Sequence, residues 1–501
     1  MIKLIYRIES DYMSKKRMLI VTSVTLSVVT ISLGIVKLYQ TYALSNYIGT
    51  VTDTGIDVYI NDDSYASIPA NGSSNVYYML TNTNPGTVKY GVAYQTTSGV
   101  TVKVYDTSED PATGTIEEND KKYIKLHLEN KNSTNKTIEL STVLGYENGG
   151  DLVVPSGVTL VTDTYTPPPT AAEYITKLYT TASKTTVTNN SITYNTAPSV
   201  SLMNDRLGGT TTDLDGGNIR YYGASPNNYI YFNCSDYSNQ TSSTCETWRI
   251  IGVFDGKLKL IRGSQIGKYS WDNKNTSTGA EDNYGKNDWT TARLMKLLNP
   301  RDYYKVDSND NNLGQSLYYN SASGKCYSGQ NNATVDCDFT STGIKNDETR
   351  NMIAETTYYL GGRNSYSVYP NEIYEYERGT TVYTGRPPTW PGKIALAYPS
   401  DYGYAADLNQ CKDKTLYYYD NSTCTSNNWM KAILGTSSHG WLLTPYSGHS
   451  YYAWHVRSGG NVYSYLAYGA YGAVPVLSLS SELGIESGGD GSSSNPYKLS
   501  A

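Results

Sequence analysis

The sequence predicts two folded parts of different fold class behind a single transmembrane helix: a small all-β sandwich and a larger α+β domain. A chain of 501 residues is too long for one hydrophobic core. Short alternating apolar runs without Cys, Trp or Phe fill residues 46–163, whereas all six Cys, seven Trp and three Phe lie beyond Asp215. This shift in composition indicates that a second, better-filled core begins after the sandwich.

Residues 18–36 carry no charge and are long enough to span a bilayer as a helix. Five cations precede this stretch and only Lys37 follows it closely. The positive-inside rule therefore predicts a cytoplasmic tail at 1–17, a transmembrane anchor at 18–38 and an extracellular location for the remainder. A cleaved signal peptide is the alternative, although the apolar stretch is long for one and Thr41-Tyr42-Ala43 is a mediocre cleavage site.

Residues 46–163 are predicted to form an immunoglobulin-like β-sandwich. Period-two runs occur at 56–60, 76–80, 100–105, 123–128 and 138–144, and turn-forming sequences such as Asn71-Gly72 separate them. No catalytic constellation occurs in this region, which predicts a stalk. Three successive prolines then predict a stiff linker at 164–170.

Residues 171–482 are predicted to form the α+β domain, with few helices and many short strands. Asp255-Gly256 between two apolar runs indicates a type I′ hairpin. Helices are expected at 171–179, 288–298, 347–359 and 426–434. Strands are expected at 394–398, 440–443, 453–457, 461–466 and 473–479. The Gly- and Ser-rich residues 483–501 are predicted to be a flexible tail.

The six cysteines fall into three close couples, which favours disulfides within each couple. Six cysteines allow about fifteen connectivities, but short-range pairing closes small loops between strands. None shows CxxC spacing or a companion His, so zinc and redox sites are not indicated. Reduced thiols are the alternative if the compartment is not oxidising. The predicted pairs are Cys234 with Cys245, Cys326 with Cys337, and Cys411 with Cys424.

Residues 446–472 have the composition of a binding surface. Most are Tyr, Ser, Gly, Ala or His, and Arg457 is the only fixed charge. Because side chains alternate along a strand, inward-facing Trp454 and Val456 would place His455 and Arg457 on the outer side. Packing of single tyrosines on neighbouring loops is the alternative. The predicted ligand contacts are Tyr446, His449, Tyr451, His455, Arg457, Tyr463, Tyr465, Tyr468 and Tyr471.

Three motifs near the C-terminus resemble those of a family of bacterial surface domains with a C-type lectin-like fold. They are WLLTP at 441–445, AWHVRSGGNV at 453–462 and GAVPVL at 472–477. The same fold carries the variable receptors of diversity-generating retroelements and the formylglycine-generating enzymes. The resemblance implies a C-type lectin-like fold for residues 171–482. The sequence departs from the family at Val474, where an Arg is usual.

The resemblance to variable receptors implies a test of composition. Adenine-directed mutagenesis of AAY codons yields NNY codons, which encode no Lys, Glu, Gln, Met or Trp. Apart from Trp454, residues 446–472 contain none of these five residue types. Targeted diversification and a fixed Tyr/Gly-rich turn region are both compatible with this composition.

No metal site, cofactor or catalytic site is predicted. Residues 307–311 begin like a calcium loop, but Asn312 and Tyr318 stand where the glycine and glutamate are required. The sugar-binding triplets of calcium-dependent lectins are absent, and so is a cysteine pair beyond Cys424 of the kind formylglycine formation needs. Glu372, Glu375 and Glu377 are expected on a solvated face and not in acid–base catalysis.

Together these patterns predict a non-catalytic, membrane-anchored cell-surface protein of adhesin or receptor type. Its partners would be the membrane, through the N-terminal helix, and a protein or glycan ligand outside the cell. The net charge of −6 argues against a nucleic-acid surface, so no nucleic-acid partner is predicted. The first alternative is a surface-layer protein whose Tyr-rich segment contacts a second copy of itself, and the second is an enzyme.

Overall fold

The computed structural model describes residues 44–51, 57–60, 65–82, 86–144, 152, 154, 156–273, 284–305 and 313–500. The predicted tail and anchor, residues 1–38, lie outside this set. Within it, no helix combines the length and the apolar character needed to cross a bilayer. The described residues are mostly β-structure with few helices, and the chain divides into two compact units, residues 1–167 and 168–501.

The first unit is made of strands arranged in two sheets. The strands are β1 (Leu44–Val51), β2 (Asp57–Ile60), β3 (Tyr65–Ile68), β4 (Gly72–Asn82), β5 (Val88–Gln95), β6 (Val100–Tyr105), β7 (Thr113–Ile116), β8 (Lys121–Asn130), β9 (Lys136–Leu144), β10 (Val158–Leu160) and β11 (Thr164–Tyr165). One sheet has the order β11-β6-β8-β4-β1-β2. The other has the order β10-β5-β9-β3, with β7 beside β5.

The two sheets of the first unit enclose one hydrophobic core. Tyr78 of β4 reaches across it, and its hydroxyl lies 2.7 Å from Thr142 Oγ1 of β9. The predicted linker is shorter than residues 164–170. Tyr165 belongs to β11 and stacks on His127 with ring centres 3.6 Å apart, while Thr170 caps the first helix of the second unit.

The second unit combines short helices with many strands. Its helices are α1 (Ala171–Thr181), α2 (Arg206–Gly209), α3 (Arg293–Leu298), α4 (Asp347–Met352), α5 (Pro370–Arg378), α6 (Pro399–Tyr404), α7 (Ser422–Ser426) and α8 (Lys431–Leu434). Its strands are β12 (Thr185–Asn189), β13 (Ile192–Ala197), β14 (Leu202–Asn204), β15 (Ile219–Tyr221), β16 (Tyr229–Phe232), β17 (Glu246–Phe254), β18 (Lys257–Arg262), β19 (Lys268–Ser270), β20 (Ser323–Tyr327), β21 (Thr334–Asp338), β22 (Thr356–Tyr359), β23 (Thr389–Gly392), β24 (Ile394–Ala395), β25 (Gly440–Pro445), β26 (Tyr452–Val456), β27 (Val462–Leu466), β28 (Ala470–Gly472), β29 (Val476–Ser478), β30 (Gly484–Ile485) and β31 (Leu499–Ser500).

Two sheets organise the second unit. The larger has the order β12-β13-β14-β15-β17-β18-β29-β24, with β16 beside β17. The smaller has the order β19-β28-β25-β26-β27 and contains the strands of residues 446–472. Three further pairs, β20-β21, β22-β23 and β30-β31, lie outside these sheets.

The predicted hairpin is present between β17 and β18. Asp255 and Gly256 have φ angles of 49° and 71°, and a type I′ turn requires positive φ at both positions. Gly252 marks an irregularity in the register of this pair. A Cβ at Gly252 would lie 2.0 Å from the carbonyl oxygen of Ile219, so the close approach of β15 requires glycine there.

The helices differ in part from the predicted bounds. α1 begins as predicted, because Thr170 and Glu173 form a capping box. Asp288 caps only a 3₁₀ turn, and the extended backbone of Ala292 separates that turn from α3. The helix predicted from Asp347 to residue 359 ends at Met352, and β22 follows it. The helix predicted at 426–434 is replaced by α7 and α8, and α5 and α6 were not predicted.

The C-terminal residues form part of the fold and not the predicted flexible tail. β30 pairs with β31, and Leu483, Ile485, Tyr497 and Leu499 are buried. The side chain of Gln240 donates to the carbonyl of Leu499 at 2.6 Å and accepts from its N–H at 2.9 Å. The Gly- and Ser-rich stretch makes the turn between two apolar segments, and those segments fix its ends.

The three predicted disulfides are present. Cys234 is bonded to Cys245, Cys326 to Cys337 and Cys411 to Cys424. The second links β20 to β21, as expected for a bond that closes a small loop between strands. The predicted disulfide pairing is confirmed.

A buried ionic cluster joins three elements of the second unit. Arg220 of β15 donates to Asp205 at 2.6 Å and to Asp401 of α6 at 2.9 Å, and Lys259 of β18 contacts the other carboxylate oxygen of Asp401. Burial alone would raise the pKa of Asp401, but Lys259 and Arg220 together hold it below its usual range. All four side chains are buried, so their charges depend on one another for compensation.

Glu377 corrects the prediction of a solvated carboxylate face. It lies on α5, is fully buried, and accepts hydrogen bonds from the backbone N–H of Ser400 at 2.9 Å and from its hydroxyl at 2.5 Å. Burial raises the pKa of Glu377 to about 7. Glu375 is exposed as predicted, and Glu372 is half-buried. The prediction was wrong for Glu377, because these residues form a helix that packs on α6 and not an exposed loop.

Candidate ligand-binding site

The smaller sheet of the second unit is anchored in hydrophobic core on both sides. Leu442, Trp454 and Val456 enter one core cluster, and Trp441 and Ala453 enter the other. Trp454, Val456 and Val462 are fully buried, as expected for the scaffold positions of residues 446–472. The sheet is therefore a rigid platform for the side chains at its edge.

His455 is buried, which corrects its predicted outward position. Its side chain leaves β26 on the side opposite Trp454, but only 2% of it is exposed. The rings of Trp441, Tyr471 and His439 surround it at centre distances of 5.9, 4.9 and 5.6 Å. Alternation sets the direction of a side chain but not what covers it. Among the described residues, His455 Nδ1 has no hydrogen-bond partner.

Tyr463, Tyr465 and Tyr471 form the layer above His455. Tyr463 pairs opposite His455, so both side chains leave the sheet on the same side, as does Tyr465 two residues later. The rings of Tyr465 and Tyr471 lie 5.2 Å apart. Tyr465 is 39% exposed, and the other two are half-buried. Burial raises the pKa of Tyr471 to about 12, so its hydroxyl stays protonated and able to donate at neutral pH.

The loop before β26 adds a second group of rings. Tyr446 stacks on His449 at a centre distance of 6.0 Å, and His449 lies 5.7 Å from Tyr451. His449 is exposed, whereas Tyr446, Tyr451 and Tyr452 are half-buried. These side chains border the layer formed by β27 and β28.

Tyr468 is mostly covered, with 9% of its surface exposed. Its hydroxyl accepts a hydrogen bond from Gln330 Nε2 at 2.6 Å, and its ring lies 6.0 Å from that of Tyr284. Tyr468 therefore supports the exposed rings more than it offers surface to a ligand.

Besides Tyr452, the sequence did not single out four further tyrosines that touch this group. Tyr366 lies 4.3 Å from Tyr463 and 5.3 Å from Tyr446, and Tyr417 lies 6.1 Å from Tyr463. Tyr284 and Tyr418 complete the set, and both are exposed. The run Tyr417-Tyr418-Tyr419 was a usable signal, but nothing local in the sequence tied it to β27. Below, the tyrosine cluster means Tyr284, Tyr366, Tyr417, Tyr418, His439, Tyr446, His449, Tyr451, Tyr452, His455, Tyr463, Tyr465, Tyr468 and Tyr471.

Asn287 holds the loop of the cluster in place. Its buried side-chain amide donates to the carbonyls of Tyr446, His449 and Tyr452 at 3.0, 2.7 and 3.0 Å. Its backbone N–H donates to Ser450 at 2.8 Å. The loop that carries three predicted contact residues is therefore fixed by the protein before any ligand arrives.

The site carries little charge, and that charge is positive. Arg457 is exposed, and its guanidinium carbon lies 4.8 Å from the centre of the Tyr463 ring. Burial, together with Arg457 and Lys268, lowers the pKa of His439. Burial lowers the pKa of His455 well below its usual value. Both histidines are neutral at pH 7, so Arg457 is the fixed charge of residues 446–472.

Among the described residues, no group of three or more His, Cys, Asp or Glu side chains is arranged to hold a metal ion. The calcium-loop-like residues 307–311 lie outside the described residues. Val474, where the resembling family usually has Arg, is fully buried in the core that also holds Trp454.

Comparison with the models of known protein families finds no match to the chain. Comparison with the curated proteins finds none either.

Proposed function

We propose that the chain is a membrane-anchored cell-surface protein that binds a macromolecular ligand, protein or glycan, without catalysis. The observation that carries the proposal is the tyrosine cluster. Its ring contacts connect the loop before β26, strand β27 and strand β28 into one patch. Tyrosine supplies large contact area at small entropic cost, and its hydroxyl adds directional hydrogen bonds.

Two features support recognition over simple packing. Within the described part of the chain, the hydroxyls of Tyr451, Tyr463, Tyr465 and Tyr471 form no hydrogen bond, which leaves donors for a ligand. In addition, Asn287 and the core residues beneath the cluster hold its backbone rigidly. A pre-ordered surface loses less conformational entropy on binding than a mobile one.

The location and the fold belong to the same proposal. The uncharged residues 18–36 and the three disulfides support an anchored protein with its bulk in an oxidising exterior. The first unit would then act as an immunoglobulin-like stalk. The motifs WLLTP and AWHVRSGGNV form the adjacent strands β25 and β26, which supports a C-type lectin-like domain.

If retroelement diversification acts on residues 446–472, we propose that it is confined to the side chains at the surface. Ala467 and His455 are buried although their residue types fit the NNY codon set. Arg457, Tyr463, Tyr465 and Tyr451 can change without opening the core. A nearby reverse transcriptase gene with a near-copy of this coding segment, differing mainly at adenines, would support diversification.

The triple variant Tyr463→Ala, Tyr465→Ala, Tyr471→Ala tests the binding role. Aromatic residues at the centre of an interface each contribute on the order of 1–2 kcal/mol or more, so we expect at least about 100-fold weaker capture. The full chain is applied to arrays of polysaccharides and purified cell-surface proteins. Tyr468 is left unchanged because it is mostly buried.

The matched control is the variant Tyr65→Ala, Tyr123→Ala, which removes two exposed tyrosines of the first unit. It should capture the same ligand as the wild-type chain. Equal capture by the triple variant would refute the proposal. If the wild-type chain bound nothing but a second copy of itself, the self-assembling alternative would replace it.

A further inference from the structure

Arg457 and His439 lie beside each other at one end of the tyrosine cluster. The backbone N–H of Ser458, the residue after Arg457, donates to His439 Nδ1 at 2.9 Å. This hydrogen bond places the proton of neutral His439 on Nε2, which is free to donate. Arg457 and His439 therefore present a cation and a neutral hydrogen-bond donor at this end of the cluster. The centre of the Tyr471 ring lies 5.0 Å from that of the His439 ring.

The positive charge at this end of the cluster forms no ion pair within the described part of the chain. Arg457 and Lys268 form no ion pair with any described carboxylate, and residues 446–472 contain no Asp or Glu. Lys268 pairs opposite Gly472, whose N–H donates to the carbonyl of His439 at 3.2 Å. An acidic residue, Asp420, lies beside Gly459 at this end of the cluster. A Cβ added to Gly459 would be 3.5 Å from the Cβ of Asp420.

His455 lies directly beneath this end of the cluster. It is almost completely buried beneath Tyr471 and His439, and its Nδ1 has no partner among the described residues. The titratable and charged groups around His439 are His455, Tyr471, Arg457 and Lys268.

From these observations we infer that this end of the cluster binds a carboxylate-bearing sugar, with the carboxylate at Arg457 and His439 and the ring on Tyr463 or Tyr471. The inference rests on the proposed function and adds the chemical class of its ligand. The guanidinium of Arg457 lies over the Tyr463 ring at 4.8 Å, so charge and stacking surface fall within the span of one sugar ring. A uronic acid carries both features on a single ring.

The test measures binding of the full chain to hexagalacturonate and to its methyl ester, which has the same rings without the charge. We expect the acid to bind at least about tenfold more tightly, because an ionised carboxylate accepts stronger hydrogen bonds from the Arg457 guanidinium than an ester does. Arg457→Ala should remove that difference. Lys177→Ala, which removes an exposed lysine on α1, should retain it.

Several outcomes would overturn the inference. Equal binding of acid and ester, or a difference that survives Arg457→Ala, would remove the carboxylate subsite. Absence of hexagalacturonate binding would also overturn it, and so would Arg457-dependent binding of poly-glutamate in place of the sugar. In each case the array experiment with the triple tyrosine variant still decides the proposed function separately.

Discussion

Replacing Asp401 by alanine is expected to lower the free energy of unfolding of the second unit by about 3–5 kcal/mol. The change leaves Lys259 buried without a carboxylate and removes one of the two carboxylates bound to Arg220. Arg220 keeps Asp205, so Lys259 carries most of the penalty. A second substitution, Lys259→Met, should recover part of the loss because it removes the uncompensated charge.

Urea unfolding followed by tryptophan fluorescence measures this effect in the full chain. All seven tryptophans lie in the second unit, so the signal reports on that unit alone. Asp336→Ala is the matched control, because Asp336 forms an exposed ion pair with Lys325 at 2.5 Å. It should cost no more than about 1 kcal/mol. Equal effects of the two substitutions would contradict the role given to the buried cluster.

Replacing Glu377 by glutamine is expected to flatten the pH dependence of stability. The pKa of Glu377 is raised from 4.5 to about 7, so the folded state holds a proton that the unfolded state has released. This stabilisation is complete below pH 4.5 and is lost as the pH rises to about 7. Its full size is on the order of 3 kcal/mol. The wild-type chain should lose most of this amount between pH 5 and 7 and little more up to pH 8, and Glu377→Gln should not.

Unfolding free energies at pH 5, 6, 7 and 8, measured by the same fluorescence, test this expectation. Glu348 is exposed on α4, so Glu348→Gln should keep the wild-type slope. Parallel pH profiles for wild type and Glu377→Gln would show that Glu377 titrates as an ordinary carboxyl. The account of its burial against Ser400 would then be wrong.

Local signals in the sequence predicted the elements that depend on local interactions. Asp255-Gly256 specified its hairpin because only a few residues tolerate two consecutive positive φ angles. Thr170 and Glu173 likewise specified the start of α1. The cysteine couples specified their disulfides because each joins residues 11 or 13 positions apart.

Features that depend on long-range packing were missed. The Gly- and Ser-rich composition of the C-terminal residues predicted a flexible tail. In the structure, the side chain of Gln240, 259 positions earlier, holds Leu499 by hydrogen bonds to its backbone. The sequence around Glu377 predicts an exposed carboxylate, but in the structure α6 covers this side chain. His455 has an outward direction by alternation, but Tyr471 and His439 come from other strands and loops to cover it. The periodicity of one segment does not predict which residues from other segments will bury its side chains.

The candidate site was likewise predicted only in part. Residues 446–472 do form a patch of tyrosines on buried Trp454, Val456 and Val462. Tyr366, Tyr417 and Asn287 reach it from distant positions, and no spacing rule connects them to β27. The positions contributed by one strand or loop were thus predictable, and those contributed by tertiary contact were not.

Tyrosine footprinting tests the central claim most directly. The wild-type chain is nitrated with and without the ligand that it captures most tightly, and each tyrosine is followed by mass spectrometry. The account predicts that Tyr463, Tyr465 and Tyr471 lose reactivity on binding, while exposed Tyr65 and Tyr123 of the first unit do not. Unchanged reactivity of the three cluster tyrosines, with protection elsewhere, would contradict it.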